Sequence, residues 1–372
     1  MESICKQLLA HCLNGTPWPA SLLDAVRAGL GSVEGSRQFF TIVIERLGDL
    51  FEPRLCDVYA RLMSEILEDT SLYARYQRVR APRCFDGPDP SRVYVLSRIT
   101  LGADVAVTSV FLDAAAKRFP GVEVVLVGPR KNWELFAADP RGIGHFDAPY
   151  GRSASFAERI AAKPWIEDER AIILDPDSRL SQLGIIPVTA DDSRYYFFES
   201  RGYAADSQDS LPELASQWCR ETLGVDGARA YVAPHPPAGN PRIAGVTVNL
   251  GVGENTAKRL PDPFEAELLA SLPDDDTLID LGGSPDEAER VRRAAGEGSR
   301  KQMFQGSFAD FAWYISKSRR YVGYDSAGMH VAAACGIPLT CIFAGEVCER
   351  FFHRWRPTGP GPIEIIRPQQ RG

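Results

Sequence analysis

The sequence predicts an α/β protein: two facing Rossmann-like halves with parallel sheets, preceded by an N-terminal α-helical extension. Three observations predict it. Over roughly the first 80 positions apolar residues recur at helical spacing, with no strand-like alternation. From residue 92 onward short β-rich runs alternate with helical stretches, the pattern of parallel strands joined by crossover helices. That alternation starts afresh near Ile243, giving two series of similar size. A chain of 372 residues also exceeds what one compact core normally holds.

The first segment carries its apolar residues at Ile4, Leu8 and Leu9, at Leu22, Leu23 and Val26, from Phe39 to Leu47, and at Val58, Leu62 and Ile66. Four or five helices are expected, broken at Asn14-Gly15, at Gly29 to Gly31 and at Pro53. Residues 1–85 read as a helical appendage, and the turn-rich run PRCFDGPDP (82–90) as a linker. In the first half, residues 86–210, strands are expected at 93–96, 122–127 and 172–174, with a helix over 104–118 that stops at Phe119-Pro120-Gly121. The second half, with its linker, covers 211–372. It begins with a helix over 211–223, followed by strands at 244–250, 277–281, 321–323 and 339–343 and helices over 263–272, 286–295, 308–318 and 329–335. A ligand of such a pair of halves lies in the cleft, at the C-terminal ends of the strands.

Bulk properties narrow the function classes. A net charge of −7 argues against a general grip on nucleic acid. Eight scattered cysteines without a C-x-x-C pair point to reduced, mostly buried thiols rather than disulfides or zinc. The start MESICKQLLAHCLNG has no basic region followed by a long apolar stretch, and the apolar runs are strand-sized. A cytoplasmic protein is expected, with room for peripheral contact at the inner face of the cell membrane.

The strongest chemical signal is YVGYDSAGMHVAAACGIPLTCIFAG, residues 321–345. A strand delivers Asp325; Ser326, Ala327 and Gly328 then open a helix that contains His330. Small residues at a helix N-terminus present free N–H groups and a positive dipole end, which suits a phosphate. Asp325 is placed to bond sugar hydroxyls, and His330 to add a donor to the phosphate. The plainer alternative is a buried strand-to-helix turn with Asp325 as N-cap.

Asp325, Ser326, His330, Ala333, Ala334, Gly336 and Pro338 match, position by position, the stretch D-[ST]-x-x-x-H-x-x-A-A-x-G-x-P of the bacterial heptosyltransferases. The chain resembles that family (glycosyltransferase family 9, GT-B fold) over roughly residues 92–367. The resemblance implies that Asp325 contacts the donor sugar, while the amides after it and His330 hold its diphosphate. The segment SRITLGADVAVTSVFLDAAAKRFPGVEVVLVG (97–128) resembles the family's opening strand, loop and helix, and puts Asp104 on the position of the general base. Here Ala103 stands between Gly102 and Asp104, where the family usually joins Gly to Asp. A helix N-cap is the other reading of Asp104. In NLGVGENTAKRLP (249–261), Gly251 and Gly253 permit close backbone approach, and Lys258 offsets charge on the leaving diphosphate; Arg259 is a weaker candidate. In LGGSPDEAERVRRA (281–294) the resemblance implies an acidic residue on the ribose, Asp286 or Glu287, with Glu287 preferred; first-turn acids that complement the helix dipole are the rival view.

Other clusters are less specific. GSFADFAW (306–313) is expected to shape the base pocket. RYYFFESRGY (194–203) fits an acceptor wall or a core strand equally, RFFHRWRP (350–357) reads as surface with Trp355 turned inward, and Asp175-Pro-Asp177 as a turn. No metal-ligand spacing is seen, so no metal or other cofactor is required.

The expectation is therefore an inverting glycosyltransferase. Asp104 is the general base, Lys258 and the helix after Asp325 neutralise the departing nucleoside diphosphate, and the donor is ADP-heptose by analogy. The expected partners are a nucleotide sugar and a glycan or glycolipid acceptor, with no nucleic acid. The alternatives are a GT-B nucleotide-sugar epimerase, or an inactive nucleotide-sugar-binding scaffold.

Overall fold

The computed structural model describes residues 1–151, 154–162, 164–239, 241–253 and 255–368. Glu254, within the Gly-rich loop quoted above, lies outside the described residues. Two parallel sheets form the frame. The first joins β1 (Arg92–Leu96), β2 (Glu123–Val127), β3 (Gly144–Phe146), β4 (Ile172–Asp175) and β5 (Tyr195–Phe197) in the order β3-β2-β1-β4-β5. The second joins β6 (Val246–Asn249), β7 (Thr277–Asp280), β8 (Gln302–Phe304), β9 (Arg320–Tyr324), β10 (Leu339–Ile342) and β11 (Ile363–Ile366) in the order β11-β10-β9-β6-β7-β8. Both are doubly wound, with the order reversing between β1 and β4 and between β6 and β9, where such folds bind ligands.

The longer strands and the crossover helices lie where apolar patterning puts them. The strands absent from the sequence reading (β3, β8 and β11) are three or four residues long and sit at or near sheet edges, too short for periodicity to show. Of the two readings of 194–203, the structure selects the strand, with Tyr195, Tyr196 and Phe197 all buried.

The N-terminal helices are Glu2–Asn14, Ala20–Leu30, a segment from Val33–Phe39 through a π-helical turn to Arg46–Asp49, then Pro53–Ile66 and Thr70–Val79. They break at the expected positions but are no appendage. Side chains alternate across the first sheet: Val93, Val95, Val124, Leu126, Ile172 and Leu174 face a core shared with helices Ser109–Arg118 and Leu211–Leu223. Tyr94, Leu96, Val125, Val127, Ile173, Tyr195 and Phe197 face the other way, into one core with Leu55, Tyr59, Leu62, Met63, Leu72 and Tyr76 of the extension. The connection from β4 to β5 is a buried coil where a crossover helix would be usual, and the extension covers it. Tyr59 donates to the carbonyl of Gln182 at 2.8 Å, and Arg75 donates to that of Gly184 at 2.9 Å while pairing with Asp192 at 2.7 Å.

Helix Glu349–Trp355 corrects the surface reading of 350–357. Arg354 is buried and donates to the carbonyls of Ser207, Asp209 and Ala204, because this helix leaves the second sheet to clamp the connection between the halves. Among the described residues no helix is long and apolar enough to cross a membrane.

Candidate active site

At the switch point of the second sheet, β6 ends in Asn249, β7 in Asp280, and β9 runs into Asp325. Asn249 is the hub. Its Nδ2 donates to Asp280 at 2.7 Å, and its Oδ1 accepts from the Gly251 amide at 3.2 Å and from the Ser326 hydroxyl at 3.2 Å. Ser326 is the N-cap of helix Ala327–Ala334, yet its side chain makes no capping bond because it is turned to Asn249. The first amides of that helix are thus left to a ligand, at the positive end of the dipole.

Lys258 reaches over this helix end. Its Nζ lies 2.6 Å from Asp325 Oδ2 and 3.2 Å from the Asp325 carbonyl, with both side chains largely buried. The loop is held by Gly345, at φ 69°, where an added Cβ would stand 2.6 Å from the Ala257 carbonyl oxygen. His330, one turn into the helix, is buried with its ring against Trp355, centroids 5.9 Å apart. Burial pushes its imidazole down to about 4, against the attraction of Asp325, so it stands neutral at pH 7.

Lys258, Asp325, Ser326, Ala327, Gly328 and His330 therefore converge on one helix end. Glu287 borders them: it accepts from the Val252 amide at 3.5 Å and from Arg259 at 3.1 Å. Asp286 is exposed on the first turn of its helix, which separates the two acids that the sequence left as alternatives. Gly253, at φ 60°, turns the loop in an exposed position where an added Cβ would meet nothing within 4 Å, so it shapes the loop rather than lining the helix end.

Asp104 departs from expectation. It was to stand at the mouth of the cleft, but it is fully buried in the first half. Oδ1 accepts from the Arg98 amide at 2.7 Å and Thr108 Oγ1 at 2.6 Å; Oδ2 accepts from Ser97 Oγ at 2.6 Å and Asn132 Nδ2 at 2.5 Å. A carboxylate offers about four lone-pair directions, and all are taken. Burial raises this carboxyl, with the four donors opposing. What Asp104 does is fix the loop after β1, whose Gly102 meets the donor-side helix: a Cβ there would lie 3.2 Å from Ala327 Cα and 3.4 Å from the His330 ring. Asp175 and Asp177 close the same end of the first sheet; Asp175 is pushed up to about 6 by burial, and Asp177 pairs with Arg201 at 2.9 Å.

Sequence reasoning missed Asn249 and Asp280. A polar residue ending each of two buried strands, VTVN and TLID, was the available signal. Among the described residues no cluster of three or more His, Cys, Asp or Glu could hold a metal.

Solved structures share this arrangement of two sheets. Glycosyl transferase family 9 from Veillonella parvula DSM 2008 superposes with a TM-score of 0.53 at 16% identity, covering 75% of this chain and 86% of that one. The E. coli heptosyltransferase WaaC with ADP-2-deoxy-2-fluoro heptose gives 0.53 at 17% identity over 74% and 93%. The E. coli ADP-heptose lps heptosyltransferase II gives 0.51 at 15% over 75% and 91%. The fold is GT-B. No family description and no curated protein matches the chain by sequence. The GT-B likeness covers about three quarters of the chain.

Proposed function

We propose that the chain is a GT-B glycosyltransferase that takes a sugar from a nucleoside-diphosphate donor and delivers it to a hydroxyl with inversion. The observation that carries this reading is the convergence of Lys258, Asp325, His330 and an uncapped helix N-terminus at the switch point of the second sheet. One ammonium and a row of amides neutralise a diphosphate as it departs, with no reorganisation when the bond breaks. Asp325 and neutral His330 supply an acceptor and a donor beside it. Residues 211–372 hold the donor, with Glu287 on the ribose, and residues 86–210 face it with the acceptor. The motif match and the E. coli heptosyltransferase WaaC, described once with ADP and once with ADP-2-deoxy-2-fluoro heptose, make an ADP-sugar the first donor to try. The acceptor is a glycan or glycolipid hydroxyl, approached from the cytoplasmic side of the membrane.

Titration calorimetry with ADP, GDP, UDP and dTDP tests this. One of them binds, and Lys258→Ala weakens it roughly ten- to hundred-fold, as expected for removing one partner of a buried charge contact. Failure of all four to bind, or binding indifferent to Lys258, overturns the reading.

A further inference from the structure

The first sheet has its own switch point, between β1 and β4, and one side chain spans it. Arg98 stands two residues past the end of β1. Its Nη1 donates to the Pro176 carbonyl, just beyond β4, at 2.6 Å and to Ser200 Oγ, beyond β5, at 2.9 Å. Its guanidinium carbon lies 5.8 Å from the centre of the Trp355 ring, which belongs to the donor half and packs against His330. The loop that carries Arg98 runs on to Gly102, whose backbone meets Ala327 at the donor helix end. Arg98 thus touches both halves, at the strand ends of one and beside the anion cradle of the other.

This arginine is half-buried and has no counter-charge. Nε and Nη2 bond no described residue, and no described carboxylate pairs with it. The acids in its surroundings are spent elsewhere: Asp177 on Arg201 and Ser200, Asp175 on Tyr195 and the Ser178 amide, Asp104 on its four donors. An uncompensated cation away from bulk water is costly unless an anion comes to it. Nε and Nη2 also form one edge of the guanidinium, the pair of parallel donors that grips a phosphate in bidentate fashion. The next residue, Ile99, is β-branched and sits at φ 71°, held there by a bond from its amide to Ser97 Oγ at 2.8 Å. Backbone strain of this kind collects where a functional group must be aimed.

We propose, resting on the transferase reading, that Arg98 is the second cation of the donor's β-phosphate, supplied by the acceptor half. The nucleoside end of the donor is held inside the second half, at Glu287. The β-phosphate carries the sugar, and the sugar must face the acceptor, so this phosphate is the one turned toward Arg98. Lys258 and Arg98 then bracket it from opposite halves. When the bond from the anomeric carbon to the β-phosphate oxygen breaks, its electron pair stays on that oxygen. A guanidinium already fixed by Pro176, Ser200 and Trp355 meets the new charge without reorganisation.

The test is titration calorimetry on the full chain with ADP against AMP, or with whichever of GDP, UDP and dTDP binds against its own monophosphate. Arg98→Gln weakens the diphosphate about ten-fold or more and leaves the monophosphate within about two-fold. Arg98→Lys recovers only part of the loss, since an ammonium cannot present two parallel donors; it also reads the same ratio if Arg98→Gln melts early. Guanidinium ion at millimolar concentration, with sodium as control, tightens ADP binding to Arg98→Ala and not to the wild type, a response that a merely structural role does not give. Variants that melt normally and keep the wild-type ratio of diphosphate to monophosphate affinity overturn the assignment and leave the transferase standing. Equal weakening of both nucleotides does the same. A wild-type chain that binds none of the four diphosphates overturns both.

Discussion

Replacing Asp104 separates a residue that builds the site from one that does the chemistry. In Asp104→Ala four buried donors lose their acceptor at once. The hydroxyls of Ser97 and Thr108 can rotate toward other oxygens, but the Arg98 amide and the Asn132 amino group cannot. At about 1–3 kcal/mol for each of these two donors left unpaired, the loss is roughly 2–6 kcal/mol. For a unit of about 200 residues that lowers Tm on the order of 10 °C. Asp104→Asn behaves differently. Its carbonyl oxygen can keep Arg98 and Thr108, and its amino group can donate to Ser97 and to Asn132 Oδ1, an atom buried without a partner in the present structure. Only the charge assistance is forfeited, about 1–2 kcal/mol. Thermal melting followed by intrinsic tryptophan fluorescence, paired with the rate of ADP release from ADP-heptose, reads both quantities. The expected result is a damaged Ala variant and an Asn variant that melts a few degrees early and turns over near the wild-type rate. An Asn variant with wild-type melting and turnover as low as that of Ala refutes the argument and makes Asp104 the base.

Further expectations follow from burial and charge. Asp49 and Asp175 are both pushed up to about 6 by burial, above the unfolded value near 4, so the folded chain holds more protons between those values. Their contribution to stability is complete below about pH 4 and disappears as pH rises through 6; Asp49→Asn accordingly raises Tm at pH 8 and not at pH 4. His330, neutral because burial holds it near 4, takes up a proton when a diphosphate arrives at pH 5. The calorimetric enthalpy of ADP binding then varies with the buffer's ionisation heat, an effect lost in His330→Gln. Deleting residues 1–80 uncovers Tyr94, Leu96, Val125, Val127, Ile173, Tyr195 and Phe197 together. At about 1.5–3 kcal/mol per side chain that exceeds what a domain can lose, so the truncated chain is recovered as aggregate; a soluble, folded product contradicts the shared core.

The sheets and their order of helices were legible because buried parallel strands and crossover helices have opposed periods, and both runs repeat. The helix after Asp325 was legible too, since small residues opening a helix after a strand leave few other readings. What escaped depended on contacts distant in sequence. Nothing in ADVAVTS tells that Ser97 and Asn132 will saturate Asp104. The extension's helical spacing was plain, but its apolar stripe could not disclose that its partner was a sheet rather than its own helices. Arg354 looked like surface because charged runs usually are; here three carbonyls of a connecting loop require it inside.

The shared core sets an order on biosynthesis. Tyr59 closes its bond to Gln182 across 123 positions, so at synthesis rates of about 5–20 residues per second the earliest helices wait roughly 6–25 s for the sheet they cover. During that interval their oily faces are open to solvent, and the nascent chain is a natural client for a ribosome-bound chaperone.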